Sequence, residues 1–328
     1  MLNAKITGIA SYVPDYVLNN DELAHMVDTS DEWITTRVGI KERRIYKGEG
    51  GSSVLGIKAV NKLLAETGTN PDDVELLICA TCNPDYRFPS TGSMICHGTG
   101  LEKNCYSFDV EAACAGFIVG IQMANAYIKA GLYKKVIVVC AENLTSAVDY
   151  TDRATCPLFG DGAGAVLMEP TEDTSLGLID SVFHVDGSGL ENLKFKAGGS
   201  AYPTTMESVE KREHYLYQEG RAVYKNAVMD MYNSSLTIME RNGLTCDNID
   251  WFVAHQANMR IIEAVGSRLG IDPSKVLVNI DHIGNTSAAS IPICLDEYKH
   301  KLKKGDKIVL TAFGAGFTWG ASYLVWAI

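Results

Sequence analysis

The sequence predicts an α/β fold assembled from two copies of one strand–helix unit. Two observations carry this. The runs Val74–Ala80 and Lys134–Ala141 are almost continuously apolar, as strands are when a parallel sheet buries both their faces. Three segments of the first half also recur in the same order in the second, at nearly equal offsets. Asn248-Ile-Asp-Trp-Phe-Val-Ala-His matches Asp73-Val-Glu-Leu-Leu-Ile-Cys-Ala at 249 − 74 = 175 residues. The corner at Cys114 is echoed at Asn285, 285 − 114 = 171, and Gly305–Ala312 echoes Lys134–Ala141 at 308 − 136 = 172. The division expected is 1–172 and 173–328, packed as a pseudo-symmetric pair.

The elements follow in order. Lys5–Tyr12 reads as a first strand that stops before Pro14. Asn20-Asp21-Glu22 opens a helix with an Asn/Asp cap and an acidic first turn. Thr29-Ser-Asp-Glu-Trp33-Ile opens another, followed by the basic group Arg37, Lys41, Arg43 and Arg44. From Ser53 to Thr67 the pattern is amphipathic, with Leu55, Ala59, Val60, Leu63 and Leu64 inward. Phe108 and Val110 alternate with polar neighbours, Ala112-Ala113 crowd a corner, and from Gly116 the apolar period turns helical. Phe159–Met168 closes the first half. Gly187–Glu219 is polar and Gly/Pro-punctuated, an excursion whose charged stretch Glu207–His214 suits a solvated helix face. The second half then runs as a helix over Tyr224–Asn242, a strand ending at Ala254, a strand over Val276–Ile280, an apolar helix from Ser287 to Leu295, and a strand after Gly305.

Composition narrows the function. With 46% apolar and 21% charged residues over 328 positions, the chain suits a compact soluble protein. A net charge of −11 and the lack of any Lys/Arg run argue against nucleic-acid binding. No apolar stretch approaches a membrane span. The start carries no secretory segment, and nine cysteines scattered through strands and helices suit reduced thiols, so a cytoplasmic protein is expected.

Three residues bear chemistry. Cys114 lies at or just before a helix N-terminus, where free N–H groups and the helix dipole favour a thiolate, lowering its pKa from about 8.5. Such a cysteine is a candidate nucleophile, although free cysteine is also a common small buried residue. His255 ends the apolar run Trp251–Ala254, and Asn285 lies in the small-residue corner His282-Ile-Gly-Asn-Thr-Ser-Ala-Ala-Ser. Either could be structural, the asparagine as a helix cap. All three stand just past strand ends, where open α/β sheets gather functional groups. Together they form an activated thiol with two groups able to hydrogen-bond a carbonyl. The closing run Ala312-Phe-Gly-Ala-Gly-Phe-Thr-Trp-Gly320 adds a glycine-rich turn that could bring N–H groups to a substrate oxygen. Two other signals are set aside. Gly160-x-Gly162-x-x-Ala165 is followed by a strand rather than the helix a nucleotide loop needs, and Cys79-Ala-Thr-Cys82 is a lone pair without a second.

Ala-Cys114-Ala-Gly-Phe, His255-Gln-Ala-Asn258-Met-Arg260, Gly284-Asn285-Thr-Ser-Ala and Phe313-Gly-Ala-Gly-Phe-Thr-Trp-Gly, in that order, closely resemble the 3-oxoacyl-[acyl-carrier-protein] synthase III family. Asp28-Thr-Ser-Asp-Glu-Trp33-Ile, Arg37-x-Gly-Ile and Phe159-Gly-Asp-Gly-Ala-Gly-Ala are similar to further signatures, so the resemblance spans the chain. It implies a thiolase-like five-layer αβαβα architecture, a homodimer, and no resident cofactor, with a CoA thioester as substrate. It implies that Cys114 takes an acyl group from acyl-CoA, and that His255 and Asn285 stabilise the enolate formed when malonyl-acyl carrier protein loses CO2. The amides of Cys114 and Ala315 would form the oxyanion hole. Ala315 departs from the glycine of many relatives, which matters only if the turn needs φ > 0 there.

By the same resemblance Trp33, Arg37, Arg153 and Asn258 would bind CoA, while Lys225, Arg260 and Arg268 would meet the carrier protein. Ser267 stands where relatives often carry a cation. Phe88 matches a residue that reaches across the dimer to limit the acyl pocket. A thiolase is a rival, but that family relies on a second cysteine near the C-terminus, and Phe313–Gly320 has none. A relative that primes polyketide synthesis, or moves the acyl group to another acceptor, would keep the same three residues. The primer itself is not fixed by the sequence.

Overall fold

The computed structural model describes residues 2–328. Strand β1 (Asn3–Tyr12) is followed by a small hairpin, β2 (Val17–Asn19) and β3 (Glu42–Arg44), which brackets α1 (Asn20–Ala24) and α2 (Asp31–Val38). Then come α3 (Ser52–Thr67), β4 (Leu76–Ala80), α4 (Thr91–Thr99), β5 (Tyr106–Val110), α5 (Gly116–Lys129), β6 (Val136–Glu142) and β7 (Gly162–Thr171). Next are β8 (Gly177–Val185) and an excursion of β9 (Leu193–Phe195), α6 (Met206–Glu210) and β10 (Leu216–Gln218). The chain ends through α7 (Gly220–Arg241), β11 (Trp251–Ala254), α8 (Met259–Leu269), α9 (Ile280–Ile283), α10 (Ser290–Tyr298), β12 (Lys307–Gly314) and β13 (Thr318–Val325).

Local chemistry sets the helix ends. Asn19 caps α1 by accepting from the Glu22 N–H, one residue earlier than expected, and Ser30 caps α2 by accepting from Trp33. Helix α2 stops at Gly39, whose φ of 75° a side chain would resist.

Two sheets carry the molecule, in the orders β1–β7–β6–β4–β5 and β8–β13–β12–β11. In both, the parallel pair (β4 with β6, β11 with β12) continues into two antiparallel pairings. The second sheet therefore repeats the first, strand for strand, without its last member. The period of two sorts side chains into layers. Val136, Val138 and Cys140 face a core shared with Ile308, Leu310 and Ala312, where α5 and α10 lie between the sheets. Ile137 and Val139 face the other way, against Leu55, Leu63 and Ile95 of α3 and α4. Val309 and Phe313 face Met231 and Ile262 of α7 and α8. The result is the expected αβαβα stack.

The structure differs from the sequence reading in several elements, including the short pairs β2–β3 and β9–β10, which were not expected. Helix α4 and strand β8 were not expected. The strand expected over Val276–Ile280 is reduced to one bridge, Phe252 to Val276, and Ile280 starts α9. The buried Gln256 side chain explains this. Its Oε1 accepts from the Asn279 N–H at 3.0 Å and its Nε2 donates to the Leu277 carbonyl at 3.3 Å, taking backbone groups a strand would have paired.

Candidate active site

Two corners built alike face one another across the sheets. At the first, β5 ends and a short 3₁₀ turn, Ala113–Ala115, leads into α5; at the second, the turn Ser287–Ala289 leads into α10. Ala113 has φ 43° and Ser287 φ 51°, a region L-residues rarely enter. In each, a side chain two residues earlier holds the twist. Glu111 Oε1 accepts from the Ala113 N–H at 2.9 Å, and Asn285 Oδ1 accepts from the Ser287 N–H at 2.8 Å. The corner offset is thus 287 − 113 = 174, and Asn285 corresponds to Glu111 rather than to Cys114, correcting the pairing expected from sequence.

Cys114 sits on the first turn, beside the glycine-rich turn joining β12 to β13. A Cβ on Gly314 would lie 2.6 Å from the Cys114 nitrogen, so this strand end must be glycine. The positive φ of that turn, 139°, falls on Gly316, and Ala315 needs none, which removes the objection to alanine there. His255 follows β11, its N–H donating to the Thr311 carbonyl.

Cys114, His255, Asn285 and Ala315 all line one cavity of about 870 Å³. His255 is 1% exposed, and burial pushes its pKa down to about 3, so the imidazole is neutral. Its Nδ1 lies 2.7 Å from the Oγ of Ser290, the first residue of α10, and that Oγ also accepts from the Gln256 N–H at 3.3 Å. Because Asn285 Oδ1 is engaged by Ser287, the Asn285 Nδ2 donor is left for the cavity. The Cys114 thiol is not the expected thiolate. Burial pushes it up to about 12, with Glu142 and Glu111 acting the same way and the Ser287 hydrogen bond against. Low dielectric here outweighs the helix end.

The same cavity wall carries Trp33, Arg37, Asn258 and Arg260. Arg153 lies outside it but stacks on Trp33, with its guanidinium 4.5 Å from the ring centroid and Arg37 at 5.7 Å. Asn258 caps α8 by accepting from the Arg260 N–H, and Arg260 lies 5.4 Å from the Tyr224 ring centroid. Lys225 and Arg268 are exposed and do not line the cavity. Phe88 is 87% exposed and also lies off it.

Sequence reasoning missed four polar residues here: Ser287, Ser290, Cys82 and Glu142. Ser287 and Ser290 stand two and five residues after Asn285, so their spacing from it was the available signal. Cys82 belonged to the pair set aside, yet its partner Cys79 packs in the outer core while Cys82 lines the cavity. Glu142 ends an apolar strand and is fully buried.

The chain matches two family profiles. Residues 108–187 match "3-Oxoacyl-[acyl-carrier-protein (ACP)] synthase III", and residues 239–326 match the C-terminal part of the same family. It is 55% identical over 326 residues to beta-ketoacyl-[acyl-carrier-protein] synthase III 2 of Bacteroides thetaiotaomicron, covering 99% of this chain and 97% of that one. Among solved structures it resembles 3-oxoacyl-[acyl-carrier-protein] synthase III of Aquifex aeolicus, with TM-score 0.90 and 41% identity over 98% of this chain and all of that one. It also resembles the priming beta-ketosynthase of the R1128 polyketide pathway, with TM-score 0.91 and 31% identity over 99% and 96%.

Proposed function

The chain belongs to the 3-oxoacyl-[acyl-carrier-protein] synthase III family, and from that premise we propose how its cavity starts fatty-acid synthesis. The enzyme condenses an acyl-CoA with malonyl-acyl carrier protein, giving 3-oxoacyl-carrier protein, CoA and CO2. Cys114 Sγ attacks the acyl-CoA carbonyl and holds the acyl group as a thioester while CoA leaves. The backbone N–H groups of Cys114 and Ala315 receive the charge that develops on the carbonyl oxygen. The malonyl thioester then takes the place of the CoA arm. Its carbonyl accepts from Asn285 Nδ2 and from His255 Nε2. The Ser290 hydroxyl donates to Nδ1 and so keeps the imidazole proton on Nε2. Loss of CO2 leaves an enolate on that oxygen, and its carbon attacks the acyl-Cys114 carbonyl, releasing the Cys114 thiolate.

The observation that carries this reading is the Asn285 amide. Its oxygen is held by Ser287, so a donor is left beside a neutral imidazole and across from a cysteine. Each such fixed donor lowers the barrier by roughly 2.7–4 kcal/mol.

Trp33 and Arg153 would embrace the adenine, with Arg37 near the phosphates and Asn258 along the pantetheine. The Arg153 guanidinium lies 4.5 Å from the Trp33 ring centroid, so both flat groups are close enough to stack on one purine. Lys225, Arg260 and Arg268 would meet the acidic carrier protein. Phe88 stands exposed, as a residue would that completes the acyl pocket of a partner subunit in a homodimer. The primer is acetyl or another short acyl group, the reaction needs no resident cofactor, and the setting is cytoplasmic. Priming of a polyketide is the second reading, since the chain also resembles such an enzyme, with a TM-score of 0.91. The test is the release of CO2 from malonyl-carrier protein. His255→Ala and Asn285→Ala are expected to lose it by about 10²–10³-fold and Cys114→Ala far less. Unimpaired release in both of the first two would overturn these roles.

A further inference from the structure

The Cys114 thiol is ionised in the first half-reaction and must be protonated again after the second, yet the groups assigned above supply no base for it. His255 makes its hydrogen bond to Ser290 and is held neutral well below the working range. A continuous line of polar atoms leaves Cys114 in the other direction. Its Sγ lies 3.5 Å from Ser287 Oγ, which lies 3.3 Å from Cys82 Sγ, which lies 3.6 Å from Glu142 Oε2. Glu142 is fully buried at the end of β6, accepting from the Cys82 N–H at 3.1 Å and the Thr81 hydroxyl at 3.1 Å. Among the described residues no cation is a partner of its carboxyl. A buried carboxyl without a counter-ion is destabilising, and the hydrogen-bonding groups that hold this one are those of Thr81, Cys82 and Ser287.

We propose that Glu142 is the proton acceptor for Cys114, reached through Ser287 and Cys82. On attack, the Cys114 S–H bond breaks as its sulfur bonds the acyl carbon. Its proton passes to Ser287 Oγ, the Ser287 proton to Cys82 Sγ, and the Cys82 proton to Glu142 Oε2. CoA leaves as a thiolate and takes a proton from water. When the enolate displaces the Cys114 thiolate, the same three protons move back. Glu142 therefore binds and returns one proton per turnover, and each intermediate group ends neutral. Burial places the Glu142 carboxyl up at about 7, where both states are populated near neutral pH. The titratable groups facing it are thiols, Cys79 and Cys82 at the end of β4, Cys114 on the first corner and Cys140 on β6, with the carboxyls of Glu111, Asp85 and Asp109 beyond them. Asp161 precedes Gly162, the register partner of Glu142 on β7.

The step rests on acylation of Cys114, so its test reads the thiol in two ways. Peptide-mapped alkylation of Cys114 by iodoacetamide, and acyl-enzyme formation from acetyl-CoA, are followed from about pH 5 to pH 9. Both rates are expected to rise through an inflection near 7 in the wild type. Glu142→Gln, which still accepts from Cys82 and Thr81, is expected to lose that inflection and about 10²-fold of both rates at neutral pH. Cys82→Ser keeps a hydroxyl in the line and is expected to retain the inflection, whereas Cys82→Ala behaves like Glu142→Gln. The Cys82 pair decides the matter if Glu142→Gln does not fold. A wild-type profile in Glu142→Gln, or equal rates for Cys82→Ser and Cys82→Ala, would overturn the relay. A wild type that alkylates with the inflection but never acylates would overturn the proposed function and leave the relay standing.

Discussion

Ala113 and Ser287 hold the same left-handed backbone turn, φ 43° and 51°, each with its N–H bonded to the side chain two residues earlier. Such a conformation costs about 1–2 kcal/mol for an L-residue. That it persists at both corners, beside the cavity, fits strain held where geometry matters. In the first copy it presents Cys114; in the second it locks the Asn285 amide.

Bulk at the first corner should therefore be costly. Ala113→Val puts a branched side chain in the left-handed region, close to Gly314. A loss of about 2 kcal/mol is expected in urea unfolding, and Ala113→Gly should lie within about 1 kcal/mol of the wild type.

Ser290 is expected to act on catalysis through His255, besides accepting from the Gln256 N–H. Ser290→Ala removes the partner of Nδ1 and leaves the imidazole free to carry its proton on the wrong nitrogen. Decarboxylation kcat should fall about tenfold, with KM for acyl-CoA unchanged. An unchanged kcat would show that the tautomer is set otherwise.

Trp33 and Arg153 form a pair worth about 0.5–1 kcal/mol by themselves. Stacking of an adenine on Trp33 predicts a roughly tenfold rise in KM for acyl-CoA in Trp33→Ala. The rise should vanish with a short acyl-pantetheine that lacks the nucleotide. Steady-state kinetics with both substrates checks this.

Glu142 carries a stability signature. Its folded pKa of about 7 lies above its ordinary 4.5, so the unfolded chain releases its proton first as pH rises. The folded state is therefore penalised progressively from 4.5 to 7, and the penalty is absent below that window. Glu142→Gln is expected to gain relative stability across this window, up to about 3 kcal/mol. Urea titrations at the acidic and alkaline sides measure it, and a pH-independent difference would show that Glu142 is not held as described.

Much of this was legible in the sequence. Cys114 and Asn285 stood out by their small-residue corners and His255 by ending an apolar strand, and the structure brings all three to one cavity. The sheet duplication followed from repeated strands. What tertiary packing decides was not legible. Gln256 dissolves the expected strand at Val276 by taking its backbone groups, and burial reverses the expected shift of the Cys114 thiol. Ser287, Cys82 and Glu142 lie 205 and 60 residues apart in consecutive links, so no spacing rule joins them.

In the proposed reaction Cys114 holds the acyl group. Incubation with acetyl-CoA, acid quenching and mass spectrometry of the digested chain test it directly. One acetyl group is expected on the Cys114 peptide of the wild type and none anywhere in Cys114→Ala. An unmodified Cys114 peptide, or an acetyl group on Cys82 instead, would contradict it.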